Sequence, residues 1–201
     1  MKLDPFYLIV DSAEWVARLV PLGVKLVQLR IKNKHTDILR QEIRAAKIIC
    51  AKHNCQLIIN DYWQLAIEEK CDFIHLGQED LADANIIAIR AAGLKLGLST
   101  HDEDELAIAL QTEPDYIALG PVYPTILKAM PWAPQGLPRL TTWKQRIGAI
   151  PLAAIGGLNP ARIEGVFAAG ADCAGVVTDI TLNADPEART NEWIKATAKW
   201  R

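Results

Sequence analysis

Eight short apolar runs recur along the chain, each followed by an amphipathic segment, and this alternation limits the possible folds more than any other feature. The runs are YLIV (7–10), LVQLRI (26–31), QLIIND (56–61), FIHL (73–76), KLGLST (95–100), YIALG (116–120), PLAAIG (151–156) and AGVVT (174–178). They are largely continuous in their apolar character rather than alternating, which means strands covered on both faces, the condition of a parallel sheet. The intervening segments, among them SAEWVARLV, DILRQEIRAAKIICAK, LTTWKQRIGA and PARIEGVFAA, carry apolar residues at helical spacing. Eight strand–helix alternations in 201 residues predict an α/β chain folded as a closed (β/α)8 TIM barrel, at the small end of that fold's range. An open doubly wound sheet would show a glycine-rich fingerprint after its first strand, where this chain reads DSAEW (11–15). No shift in composition marks a linker, so residues 1–201 are expected to form one domain.

Half of the residues are hydrophobic and the formal charge is only −2, which argues against a disordered tail or a basic nucleic-acid binder. The apolar runs fall far short of the roughly 18 residues needed to span a bilayer. The start, MKLDPFYLIVD, lacks a long apolar signal segment, and a cytoplasmic protein without a membrane partner is expected. Cys50, Cys55, Cys71 and Cys173 form no CxxC pair and read as buried free thiols.

In such a barrel the carboxyl ends of the strands and the loops after them form the active face. The second run delivers Gln28, Arg30 and Lys32 there, the third Asn60 and Asp61, and the fourth His75, Gln78, Glu79 and Asp80. The fifth adds Ser99, Thr100 and His101, the seventh Gly156 and Gly157, and the eighth Thr178. Asp61 and Asp80 leave neighbouring strands roughly 4.8 Å apart, so they can share one Mg2+ with water and phosphate oxygens. Taken singly, each is better read as a helix cap. Arg30 and Lys32 at the same mouth favour a diphosphate site. The Gly156–Gly157 pair suits a phosphate cradle ahead of a helix, or a tight turn without a ligand. His75 is read as a satisfied core residue, His101 as the start of a helix and Trp132 as exposed. The sixth run leads into PVYPTILKAMPWAPQG (121–136), pinned by four prolines around Lys128.

These residues, in this order, resemble the thiamine-phosphate synthase family. The motifs are QLRIK (28–32), INDYWQLAI (59–67), IHLGQEDL (74–81), GLSTHD (97–102), YIALGPVYPT (116–125), Lys128, APQGL (133–137) and AIGG (154–157). The resemblance implies a Mg2+-dependent transferase joining 4-amino-2-methyl-5-hydroxymethylpyrimidine diphosphate to a thiazole phosphate, giving thiamine phosphate and diphosphate. It implies that Gln28, Leu29, Arg30, Ile31, Lys32, Asn60 and Ser99 contact the pyrimidine diphosphate, and that Asp61 and Asp80 bind Mg2+. Thr125, Lys128, Gly157, Val177 and Thr178 would hold the thiazole phosphate and departing diphosphate, with Arg30, Lys32 and Lys128 supplying catalytic charge. Leu127 stands where the family has a Thr, and Thr178 where a Ser is common. Losing one hydroxyl donor to a phosphate costs on the order of 1.5–3 kcal/mol. The same barrel also serves a thiazole tautomerase, whose base would be a His where this chain has Pro121. A degenerate paralogue that binds thiamine intermediates is the third alternative, favoured only by Leu127.

Overall fold

The computed structural model describes residues 2–32, 34–126 and 132–201. Strands β1 (Phe6–Val10), β2 (Leu26–Leu29), β3 (Gln56–Asn60), β4 (Phe73–Leu76), β5 (Lys95–Thr100), β6 (Tyr116–Leu119), β7 (Leu152–Ile155) and β8 (Cys173–Val176) pair in parallel in chain order. β8 closes on β1, with Tyr7 opposite Gly175, so the predicted barrel is the observed one.

Around it lie α1 (Ala13–Leu19), α2 (Thr36–Lys52), α3 (Trp63–Glu68), α4 (Gln78–Ala82), α5 (Ile86–Ala91), α6 (Glu103–Gln111), α7 (Gly136–Ile147), α8 (Ile163–Ala168), α9 (Thr178–Thr181) and α10 (Pro186–Thr197). Local chemistry sets several starts. Ser12, Asn85, Asp102 and Asp185 each accept a backbone N–H from the first turn of the helix they precede. α7 begins at Gly136, ahead of the expected LTTWKQRIGA, because Pro138 falls in its first turn, where a missing N–H leaves no intrahelical bond unmade. The one helix expected after β4 is preceded by the short α4, so Asp80 sits on a helical turn rather than in a loop. Among the described residues no helix is long and apolar enough to cross a membrane.

Alternation along each strand divides the core in two. Leu8, Val27, Ile59, Ile74, Leu96 and Ile117 face outward and pack under the helices. Tyr7, Ile9, Leu26, Ile58, Phe73 and Tyr116 face inward and fill the barrel. Towards the carboxyl ends the inward positions turn polar at Gln28, Asn60 and His75, all buried, and there the filled interior gives way to a cavity. At the opposite end Asp115 and Asp172 each accept a strand N–H, from Leu96 and Leu152, and each also meets a cation, Arg90 and Lys144. The amino-terminal rim is thus tied by ion-paired carboxylates while the carboxyl rim keeps its polar groups for chemistry. All four cysteines are free and buried.

Candidate active site

A cavity of about 470 Å³ opens at the carboxyl ends of the strands. Its wall includes Gln28, Arg30, Lys32, Asn60, Asp61, Asp80, Ser99, Thr125 and Val177, nine of the positions expected from sequence. Leu29 and Ile31 are buried in the outward-facing core, so their side chains point away from it and only their backbone is available to a ligand. Gly157 and Thr178 stand outside the wall. Lys128 and Leu127 lie outside the described residues.

The acid pair is built from an unusual backbone. Asp61 leaves β3 with φ at 64°, in the left-handed region that few residues other than glycine adopt readily. Its N–H donates to the His75 carbonyl at 2.9 Å, and its carboxylate pairs with the Lys32 ammonium. Asp80 comes from α4, and its carboxyl is held above the usual carboxylate range, first by burial and then by the Asp61 charge beside it. Capping accounts for neither acid. The residues at the N-cap positions of α3 and α4 are Tyr62 and Gly77, and no side chain caps either helix. No group of three or more acidic, His or Cys side chains suited to a metal occurs among the described residues. Two like-charged carboxylates pressed together, one with its proton affinity raised by the other, are nonetheless a donor set that a divalent cation would relieve, provided a phosphorylated ligand supplies further oxygens.

Beside them Asn60 is only 4% exposed, and its Nδ2 has no hydrogen-bond partner. Leaving such a donor unpaired costs roughly 1–3 kcal/mol, so its place on the cavity wall suits an acceptor brought by a ligand. His75 is the satisfied core residue expected. Nδ1 lies 2.6 Å from the Tyr116 hydroxyl and Nε2 2.8 Å from Ser99 Oγ, and burial lowers its pKa to about 4. Gln78 fixes the same strand end by donating to the Ser99 carbonyl at 2.6 Å.

Three expectations are corrected at the rim. Trp132 is half-buried rather than exposed, because its ring stacks on His101 with centroids 4.1 Å apart and planes 13° from parallel. His101 precedes α6 rather than starting it, and its Nδ1 lies 2.7 Å from a Glu105 carboxylate oxygen. The glycine pair likewise does not lead straight into a helix, since α8 starts only at Ile163. Gly156 and Gly157 have φ of 99° and 62° and let the 121–126 loop lie against them. A Cβ on Gly156 would stand 2.7 Å from the Pro121 Cα, and one on Gly157 2.8 Å from the Tyr123 Cβ and against the Pro124 carbonyl. Arg162, which sequence reasoning missed, donates to the Gly157 carbonyl and lies 4.5 Å over the Tyr123 ring. Gly157→Ala is therefore expected to lower stability by about 1–2 kcal/mol and to displace the loop that carries Thr125. Thermal unfolding beside substrate KM values checks this, and unchanged values of both would contradict it.

A closed parallel barrel whose mouth gathers paired acids, cations and an unpaired amide donor has the make-up of an enzyme site for charged small molecules. Comparison with known proteins narrows that class. The thiamine monophosphate synthase family model matches residues 6–180, and the chain belongs to that family. The thiamine-phosphate synthase of Rhizobium etli is 68% identical over 201 residues, all of this chain and 98% of its own length. That of Salmonella typhimurium is 46% identical over 193 residues, covering 96% of this chain and 88% of its own. The solved thiamine phosphate pyrophosphorylase of Pyrococcus furiosus superposes with a TM-score of 0.85 at 25% identity, over 98% of this chain and 96% of that one.

Proposed function

We propose that the family's synthase reaction runs in this cavity, where Asp61 and Asp80 would hold a Mg2+ that supplies positive charge to the diphosphate of the pyrimidine substrate. The observation that carries this is the placement of Asp80 against Asp61 beside the Lys32 ammonium, with Arg30 on the same wall. The pyrimidine CH2–O bond breaks, its electron pair leaves with the diphosphate, and the ring stabilises the resulting cation. The thiazole ring nitrogen then supplies the pair for the new C–N bond. No protein nucleophile is required, so the work is to neutralise growing negative charge and to hold two rings in line. Mg2+ would supply Lewis-acid stabilisation of the departing oxygens. Arg30 and Lys32 add fixed charge, Asn60 offers its unpaired donor, and Thr125 belongs to the loop assigned to the thiazole phosphate. Lys128 is assigned to the same phosphate by the family motif. Pro121 occupies the position of the tautomerase base, which leaves that alternative without its proton acceptor. Free, buried cysteines support a reducing compartment, the cytoplasm.

The test is synthesis of thiamine phosphate from the two substrates with and without Mg2+. Product formation that stops with EDTA and returns with excess Mg2+ is expected. No product at millimolar thiazole phosphate, or full activity in EDTA, would overturn the proposal.

A further inference from the structure

A chain of buried hydrogen bonds crosses the barrel interior and joins two groups of the cavity wall that the sequence places on different strands. Gln28 Nε2–H donates to the Tyr7 hydroxyl at 2.7 Å, and the Tyr7 and Tyr116 hydroxyls are 2.8 Å apart. The Tyr116 hydroxyl continues to His75 Nδ1 at 2.6 Å, and His75 Nε2 reaches Ser99 Oγ at 2.8 Å. Tyr7, Tyr116 and His75 are 2%, 0% and 7% exposed, so water does not compete for these bonds.

Counting protons gives the chain a direction. An amide nitrogen can only donate, so the Tyr7 oxygen accepts from Gln28 and its one proton goes on to Tyr116. The Tyr116 proton then goes to His75 Nδ1, which must be the unprotonated nitrogen. Nε2 carries the hydrogen and donates to Ser99 Oγ, leaving the Ser99 proton for the cavity. At the other end one of the two Gln28 N–H groups is spent on Tyr7, which holds the amide nitrogen inward and leaves the carbonyl oxygen as the group offered to the cavity. Reversal would require the Gln28 amide to flip, both tyrosyl protons to turn and His75 to change tautomer. It would also turn amide N–H groups towards the mouth that already holds Arg30 and Lys32.

We propose that Tyr7, Tyr116 and His75 are positioning residues that fix Ser99 as a donor and Gln28 as an acceptor, and that this polarity selects an amino- over an oxo-pyrimidine. The proposal rests on the reading above that a pyrimidine diphosphate occupies this cavity. An aminopyrimidine edge offers an amino donor beside a ring-nitrogen acceptor, the complement of this pair. The 4-oxo compound reverses both, offering a carbonyl beside a ring N–H. The carbonyl set against the Gln28 oxygen puts two acceptors together at a buried position and the ring N–H takes away the acceptor for the Ser99 proton, which is how such sites reject near-isosteres.

The test measures calorimetric Kd values, with turnover in parallel, for the 4-amino- and 4-oxo-2-methyl-5-hydroxymethylpyrimidine diphosphates. Wild type, Tyr116→Phe and Tyr7→Phe are compared, each of which removes one link and little volume. Wild type is expected to favour the amino compound by about a hundredfold or more. Each variant is expected to lower that ratio at least tenfold while the KM for thiazole phosphate stays within twofold, a change of selectivity that mere loosening of the barrel would not produce. A wild-type ratio below threefold overturns the proposal, whether or not either variant folds, and so does a ratio unchanged within twofold in a variant that binds. Amino-selective binding without product would count against the synthase reading and for the chain, and unselective binding with product would do the reverse.

Discussion

Asp61→Asn is expected to lower thiamine phosphate synthesis by about 100- to 1,000-fold while leaving the melting temperature close to that of wild type. The catalytic side follows from the charge. A neutral amide is a poor ligand for Mg2+, and one preorganised electrostatic partner of a departing anion is worth roughly that factor. The structural side follows from the backbone. At φ 64° Asn is among the residues most at ease, and the N–H bond to the His75 carbonyl does not depend on the side chain. What is lost is the pairing with Lys32, whose side chain is 45% exposed, and exposed pairs are worth only about 0–1 kcal/mol. What is gained is relief for Asp80, whose raised proton affinity reflects the Asp61 charge as well as burial. Asp61→Ala would confuse the two effects, because alanine in the left-handed region adds about 1–2 kcal/mol of strain. Calorimetry of the pyrimidine diphosphate with and without Mg2+ separates the roles, since the variant should lose the Mg2+-dependent part of the affinity. A loss of turnover below tenfold would remove Asp61 from the metal site.

The strands were legible because a parallel barrel asks for something that composition records directly, namely apolar runs covered on both faces and separated by helices. That same coverage hid the next level. With both faces apolar, nothing in YLIV or YIALG tells which residues point inward, Tyr7 and Tyr116 among them. Only the register, with Gly97 opposite both His75 and Tyr116, places those rings in one interior. The acids, cations and Asn60 could be assigned to one mouth because they follow strand ends, and position along a strand survives small errors in its bounds. α4 and α9 were missed since five and four residues are too few to show a helical period. The rim was least legible. Trp132 stacks on His101, and Gly157 meets Pro124, across loops that follow different strands, so neither contact leaves a local signature.

Gly97→Ala, a change of one methyl group, is expected to lower unfolding stability by about 3 kcal/mol or more, the largest loss anticipated for so small an edit to this barrel. The new Cβ would overlap the Tyr116 ring at Cε1 and Cζ and stand 2.7 Å from its hydroxyl. The ring has nowhere to go. It is fully buried, meets Phe73 edge-on at 5.6 Å and stacks on His75 at 5.5 Å. Overpacking of this kind costs about 1–3 kcal/mol, and a ring forced aside also loses its bonds to Tyr7 and His75, each worth roughly 1 kcal/mol or more when a buried partner is left unpaired. Gly175→Ala is the matched control, because it too lies on the inner wall but its Cβ would stand no nearer than 3.4 Å to Ile155. That variant should cost under about 1 kcal/mol, since ordinary contact replaces empty space. Urea unfolding of the pair decides the matter. If Gly97→Ala proved as stable as Gly175→Ala, the Tyr116 ring would be free to move, and the chain of bonds through it could not hold Ser99 and Gln28 in fixed polarity.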